Sequence, residues 1–130
     1  LGYAACLRGV RTRFTAAVDM VNELQTALKD QRLPKALQLY RQPRLLIIDE
    51  VGYMDFDQKS ADLFFQVISA RYERGSTVIT TNEPFKNWGR VLANNTVASA
   101  VIDRLAHHND VIRIDGDSYR LHHRRTQRKS

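Results

Sequence analysis

The segment Leu45–Ile48, which reads Leu-Leu-Ile-Ile, constrains the fold more than any other part of the chain. Four consecutive apolar residues, bounded by polar ones, predict a strand that is buried on both faces. Such strands are typical of parallel sheets whose two faces are covered by helices. We therefore expect an α/β fold in which this segment is a central strand.

The rest of the chain alternates strand patterns with helical patterns, as a parallel α/β sheet requires. Further strands are predicted at Val10–Phe14, Thr77–Thr80 and Val111–Ile114, the last followed by a hairpin through Asp115-Gly116 into Tyr119–Leu121. Helical spacing of apolar residues predicts helices at Asp19–Asp30, Pro34–Tyr40, Lys59–Arg74 and Val97–Ala106. Asp57 or Ser60 is expected to cap the third of these helices and Thr96 the fourth.

The charge balance indicates a polyanionic partner without proving one. The chain has 20 Lys and Arg against 14 Asp and Glu, a formal net charge of +6. Basic residues concentrate around the second predicted helix, at Lys29, Arg32, Lys35, Arg41 and Arg44. Contact with DNA and a solvated helical face both fit this pattern. Trp88 and Tyr53 are expected to be packing residues and not platforms for stacked bases.

Two features bear on the compartment. No apolar run approaches the roughly 20 residues that a membrane-spanning helix needs. The single cysteine, Cys6, excludes a disulfide within these 130 residues and is typical of a reducing environment. We therefore expect a cytoplasmic protein that does not enter a membrane.

Two adjacent carboxylates, Asp49 and Glu50, follow directly after the central strand. Ligands of open α/β sheets bind at the carboxyl ends of the strands. At that position the first carboxylate can hold the magnesium of a nucleoside triphosphate, and the second can polarise a water molecule for attack on the terminal phosphate. An acidic turn after a buried strand is the alternative interpretation, and these six residues alone leave both open.

Two later residues extend this hypothesis. Asn82 follows the next predicted strand, so its side chain is expected in the same crevice, where it can hydrogen-bond a phosphate or the attacking water. Arg104 lies on the last predicted helix, where its guanidinium can reach phosphate oxygens of a neighbouring subunit as an arginine finger. The alternatives are that Asn82 opens a loop and that Arg104 is an ordinary surface residue.

In combination these segments resemble the IstB family of AAA+ ATPases, and the resemblance extends from Phe14 to Leu121. It rests on LLIIDEVGY (45–53), ADLFFQVIS (61–69), RYERGSTVITTN (71–82), PFKNW (84–88), IDRLAHH (102–108) and GDSYRL (116–121). The resemblance implies the three-layer parallel sheet of P-loop NTPases, binding of ATP and magnesium, assembly into rings or spirals through the ATP sites, and contact with double-stranded DNA and a transposase. It also implies that Asp49 and Glu50 form the Walker B pair, that Asn82 is sensor 1 and that Arg104 is the finger.

One element of the family pattern does not occur in the chain. The phosphate-binding loop G-x-x-x-x-G-K-[S/T] is absent from the 130 residues, and LGYAAC (1–6) resembles the end of the helix that follows this loop in the family. We therefore expect residues 1–121 to be a partial ATPase core without its first strand and phosphate loop, inactive alone. Residues 122–130 are expected to form a disordered basic tail. A helicase loader of the DnaC kind and a non-enzymatic remnant of an insertion element are the alternatives for function.

Overall fold

Three parallel strands form the sheet in the computed structural model, which describes residues 9–107. They are β1 (Thr12–Ala16), β2 (Leu45–Val51) and β3 (Ser76–Thr81), and β2 lies between the other two. Phe14 of β1 and Val78 of β3 both pair with Ile47 of β2. The predicted α/β class with Leu45–Ile48 as a central strand is thus confirmed. The predictions for residues 1–6, Val111–Ile114, the hairpin and the tail lie outside the described residues.

Helices connect the strands. They are α1 (Ala17–Lys29), α2 (Leu33–Arg41), α3 (Gln58–Arg71), α4 (Trp88–Val91) and α5 (Asn95–Ala106), and a 3₁₀ turn (Phe85–Asn87) precedes α4. The four longer helices correspond to the four predicted from apolar spacing. Strand β1, however, begins at Thr12 and extends to Ala16, so the predicted strand at Val10–Phe14 was placed two residues too early.

The ends of the helices confirm one predicted capping residue and contradict another. Asp57 caps α3, because its carboxylate accepts a hydrogen bond from the Ser60 amide at 2.8 Å. The prediction that Thr96 caps α5 was wrong, since Asn94 Oδ1 accepts from the amides of Thr96 and Val97 at 2.8 and 3.0 Å. Helix α3 ends at Arg71 and not at Arg74, because the backbone leaves the helical region at Tyr72, whose ψ is 124°, and Glu73 then has a φ of 60°.

The core lies between the sheet and the helices. Leu46 and Ile48 are completely buried in a cluster with the apolar faces of α1, α3 and α5. The alternate residues Leu45 and Ile47 are 7% and 8% exposed on the opposite face of the strand. Burial on both faces is what the four-residue apolar run predicted.

Aromatic residues continue this core towards the carboxyl end of the sheet. Trp88 is completely buried and packs edge-on against Phe85, with 5.1 Å between the ring centres. The expectation that Trp88 is a packing residue is confirmed. The same expectation for Tyr53 was wrong, because Tyr53 is 60% exposed in the loop after β2.

Arg71 is a buried cation at the opposite end of the sheet, and sequence analysis gave it no role. It is only 3% exposed. Its guanidinium donates hydrogen bonds of 2.7–3.1 Å to five neutral oxygens, namely the carbonyls of Tyr40, Arg41, Pro43 and Ser76 and the hydroxyl of Thr77. Burial lowers the pKa of Arg71 below its ordinary value. The side chain therefore ties the end of α3 to the chain entering β2 and to the start of β3.

The helices of residues 9–107 do not include a candidate membrane span. None of them has both the length and the apolar character that crossing a bilayer requires.

Candidate active site

Asp49 and Glu50 lie at the carboxyl end of β2, between the buried residues Ile48 and Val51. Both are partly exposed, so the strand passes from the core to an accessible edge within one residue. The Asp49 carboxylate accepts a hydrogen bond from the hydroxyl of Thr80, which lies on the neighbouring strand β3. The two strand ends are thus joined directly through a candidate site residue.

Asn82 directly follows β3 and lies beside the turn after Glu50. The turn approaches so closely that a β-carbon on Gly52 would lie 2.9 Å from Asn82 Oδ1. Gly52 also has a φ of +97°, which only glycine adopts without strain. The structure therefore brings the carboxylate pair and Asn82 to one edge of the sheet, as the strand pattern predicted.

Glu83 fixes the loop that carries Asn82. Its carboxylate accepts hydrogen bonds from Asn87 Nδ2 at 2.9 Å and Arg90 Nη2 at 2.8 Å, and these two donors lower its pKa. Its main-chain carbonyl accepts from the indole of Trp88 at 3.1 Å. Sequence analysis missed this group, because Glu83 lies before the 3₁₀ turn and no regular spacing links it to Asn87 and Arg90.

Thr81 supplies a second connection between the two strand ends. Its hydroxyl donates to the Val51 carbonyl at 2.6 Å and accepts from the Glu83 amide at 3.1 Å. The chain on each side of Asn82 is therefore anchored, by Thr81 before it and by the Glu83 contacts after it. Asn82 itself remains exposed to solvent.

Arg104 lies on α5 and packs against α3 of the same chain. Its guanidinium carbon is 4.8 Å from the centre of the Phe65 ring, a cation–π geometry. Arg104 Nη1 also donates to the carbonyl of Ala100, one turn earlier, at 3.2 Å. Since the side chain is only half-buried, a polar partner can still approach its outer face.

The five basic residues of the candidate DNA surface fall into two groups. Lys29, Arg32 and Lys35 lie around the turn between α1 and α2, and Arg32 and Lys35 line a cavity of about 360 Å³ together with Glu23. Arg41 is the last residue of α2 and Arg44 lies in the segment before β2, so both are near the end of the helix that is roughly 13 Å from its start. Arg32 is also paired with Asp30 at 3.2 Å. The five residues thus lie near the two ends of α2.

The oxygen ligands at the sheet edge fit magnesium bound together with a phosphate. Magnesium is usually held by one or two carboxylates plus substrate phosphates and water, and not by an all-protein cage. Asp49 Oδ1 is engaged by Thr80, which leaves the second oxygen of this carboxylate for a cation. Within residues 9–107, no three His, Cys, Asp or Glu side chains converge as a dedicated metal cage. The donors present therefore suit a metal–nucleotide complex better than a structural metal.

Comparisons with known proteins find a matching family and several relatives. The family described as "IstB-like ATP binding protein" matches residues 1–127. A relative described as an ATP-binding protein of insertion sequence IS5376, from Geobacillus stearothermophilus, is 41% identical over 127 residues, which is 98% of this chain and 51% of that protein. The chain thus spans about half the length of the curated relatives it matches.

Two solved structures resemble the fold. The replication initiator DnaA bound to AMPPCP and single-stranded DNA superposes with a TM-score of 0.70 and 19% identity, over 89% of this chain and 34% of that one. The DnaC helicase loader gives a TM-score of 0.64 and 19% identity, over 85% of this chain and 65% of that one. At 19% identity the likeness shows the fold alone. This chain therefore shares the α/β fold of the two proteins.

Proposed function

The chain belongs to the family of IstB-like ATP-binding proteins, and from this membership we propose that it forms the Walker B and sensor part of an ATPase that assists DNA transposition. The observation that carries the proposal is the common edge of Asp49, Glu50 and Asn82. The Asp49–Thr80 hydrogen bond and the close approach of Gly52 to Asn82 bring these residues together at the carboxyl ends of β2 and β3. That edge is where open α/β sheets bind nucleotides.

Each residue has a distinct task in this proposal. Asp49 holds magnesium, which neutralises charge on the phosphate oxygens when it is bound. Glu50 takes a proton from the attacking water. Asn82 donates a hydrogen bond to the terminal phosphate or to that water. The phosphate-binding loop, which is not among the 130 residues, belongs in this proposal to the part of the protein that precedes Leu1.

Assembly and partners follow from the same proposal. ATP sites lie between subunits of a ring or spiral, and Arg104 reaches the phosphates bound by the neighbouring subunit. Residues 1–121 act as the ATPase core and residues 122–130 as a basic tail. The basic groups at either end of α2 contact the phosphates of double-stranded DNA, and the assembled subunits communicate with a transposase. The relatives belong to insertion sequences, and this supports the transposase context.

A helicase loader is the second candidate function. The fold likeness to the DnaC helicase loader favours it, at a TM-score of 0.64. The sequence favours transposition, since identity is 41% to the insertion-sequence relative and 19% to the helicase loader. Binding assays with the transposase and with the replicative helicase of the same cell separate the two functions.

The first experiment is to sequence the DNA upstream of the Leu1 codon and to purify the product of the complete reading frame. In that protein, Glu50→Gln is expected to lower the rate of ATP hydrolysis by about 100-fold while ATP affinity changes little, because the amide can no longer accept the proton. Glu73→Gln, the same change in the turn after α3, is the matched control. An in-frame stop codon directly upstream of Leu1, with no phosphate-binding loop between the two, would exclude the proposed ATPase. A Glu50→Gln variant that hydrolyses ATP as fast as the control would exclude it as well.

A further inference from the structure

The pairing of β2 with β3 is irregular at the candidate site. Ile48 pairs with Ile79 and Val51 pairs with Thr81, so that Asp49 and Glu50 together lie opposite the single residue Thr80. Two residues opposite one define a β-bulge, which interrupts the regular hydrogen bonding of the strands and redirects the side chains. The two candidate functional carboxylates are the two bulged residues.

The bulge places Glu50 in an unusual backbone conformation. Its φ is 64°, in the left-handed region that residues other than glycine seldom adopt. Such conformations persist only where surrounding contacts hold them. A contact that holds the backbone of Glu50 also sets the direction of its carboxylate.

The Thr80 hydroxyl supplies that contact and a second one. Its oxygen accepts a hydrogen bond from the Glu50 amide at 2.9 Å, in place of a regular partner on the neighbouring strand. Its single hydrogen is donated to Asp49 Oδ1. A hydroxyl can do both at once, because it is one donor and an acceptor with two lone pairs.

We propose that Thr80 is a positioning residue that holds Asp49 and Glu50 in their working geometry through one hydroxyl group. This inference rests on the proposed function of the two carboxylates. With Oδ1 of Asp49 occupied by Thr80, the carboxylate is held in one orientation, in which its remaining oxygen would be available to a cation, as hydrogen bonds to metal-binding side chains generally achieve. Because the same hydroxyl holds the Glu50 amide, the metal-binding carboxylate and the general base are held as a unit.

Four variants of the complete protein test this role. Thr80→Val keeps the shape of the side chain and removes the hydroxyl, whereas Thr80→Ser retains it. Thr77→Val is the matched control on the same strand, because the Thr77 hydroxyl accepts from Arg71 Nε at 2.8 Å and has a purely structural partner. Thr80→Ala is a second test of hydroxyl removal, should the valine variant fail to fold.

The first readout is amide hydrogen exchange at Glu50, which requires no nucleotide. Thr80→Val is expected to speed exchange of this amide about 10-fold or more relative to neighbouring amides, whereas Thr80→Ser and Thr77→Val leave that ratio unchanged. If the Glu50 amide exchanges at the same relative rate in all variants, the inference is overturned, whether or not the protein binds ATP.

The second readout is the affinity for Mn²⁺ in the presence of ATP, with Mn²⁺ as a spectroscopic substitute for magnesium. Thr80→Val is expected to weaken Mn²⁺ binding about 10-fold, the usual effect of removing a group that orients a metal ligand, and Thr80→Ser to restore it. Unchanged Mn²⁺ affinity in Thr80→Val would overturn the positioning role. If the wild-type protein binds neither ATP nor Mn²⁺, the proposed function fails, and the inference fails with it, even where the exchange result supports the hydrogen bond.

Discussion

Gly52 and Asn82 approach so closely that a β-carbon on Gly52 would lie 2.9 Å from Asn82 Oδ1 and 3.0 Å from Glu83 Cγ. The turn that follows the carboxylate pair and the loop that follows β3 are thus in direct contact. Side chains at the ends of two strands share one crevice here only because residue 52 has no side chain of its own.

Gly52→Ala is therefore expected to destabilise the protein by about 1–3 kcal/mol, through the clash and through the positive φ. It should also displace Asn82 and slow ATP hydrolysis. Chemical denaturation and steady-state hydrolysis measure the two effects. Gly9→Ala is the matched control, since Gly9 also has a positive φ, of 77°, but a β-carbon there would meet no atom of the described residues within 4 Å. Equal losses in the two variants would show that the contact with Asn82 has no effect.

Arg71→Met is expected to lower the free energy of unfolding by at least about 2 kcal/mol, because buried carbonyl groups lose their donors. The free energy of unfolding of Arg71→Lys should lie between those of Arg71→Met and the wild type, since an ammonium group can make only some of the hydrogen bonds that the planar guanidinium makes. Urea denaturation gives these values, and Arg74→Met at an exposed position is the control. If Arg71→Met is as stable as Arg74→Met, the hydrogen bonds at the start of β2 and β3 do not stabilise the fold.

Asp57 should make a pH-dependent contribution to stability. Its hydrogen bond with the Ser60 amide lowers its pKa, so the folded state favours the charged carboxylate. The contribution is present above the unfolded-state pKa and is lost as the pH falls through the lower folded-state pKa. We expect the stability difference between wild type and Asp57→Asn to be constant near neutral pH and to shrink below about pH 4. Urea denaturation from neutral to acidic pH measures this stability difference, and Asp103→Asn at an exposed position is the comparison. A difference between wild type and Asp57→Asn that does not vary with pH would contradict the prediction.

Arg104→Ala is expected to abolish ATP hydrolysis at a stability cost of about 1–2 kcal/mol, because the cation–π contact between Arg104 and Phe65 is half-buried. A finger that acts on the neighbouring subunit allows a direct test by mixing. Arg104→Ala subunits alone are expected to be inactive and Glu50→Gln subunits alone to retain about 1% of the rate. A mixed interface, however, contains one intact copy of both residues. Recovery of hydrolysis on mixing supports action between subunits, and no recovery supports a role within one chain.

Charge-reversal variants test separately whether the basic residues at each end of α2 contact DNA. Lys29→Glu, Arg32→Glu and Lys35→Glu together are expected to weaken binding to double-stranded DNA and to reduce its salt dependence, because each phosphate contact releases counterions. Arg41→Glu with Arg44→Glu tests the other group in the same way. Fluorescence anisotropy at several salt concentrations gives both affinity and slope. Unchanged DNA binding in both sets would exclude the ends of α2 as a DNA surface.

The class of fold and the strand end that carries the candidate site could both be predicted from the pattern of residues. Leu45–Ile48 is apolar without interruption, so it had to be a strand covered on both sides, and the polar residues that follow it had to emerge at a strand end. The helices followed from apolar spacing because each buries one face against the same sheet. Helix ends were less predictable, since Asn94 and Thr96 are both good capping residues and only the backbone geometry selects one.

The partners in side-chain hydrogen bonds could not be predicted in this way, because they depend on how the elements pack. Thr80 is 31 residues from Asp49, and Arg71 is 31 residues from Tyr40, so no local pattern links the members of either pair. The pairing of Thr80 depends on the register of β2 against β3 and on the bulge that places Asp49 and Glu50 opposite one residue. Hydrophobic periodicity specifies which face of an element is buried, but hydrogen bonds are directional and short, so their partners are fixed only when the elements are packed.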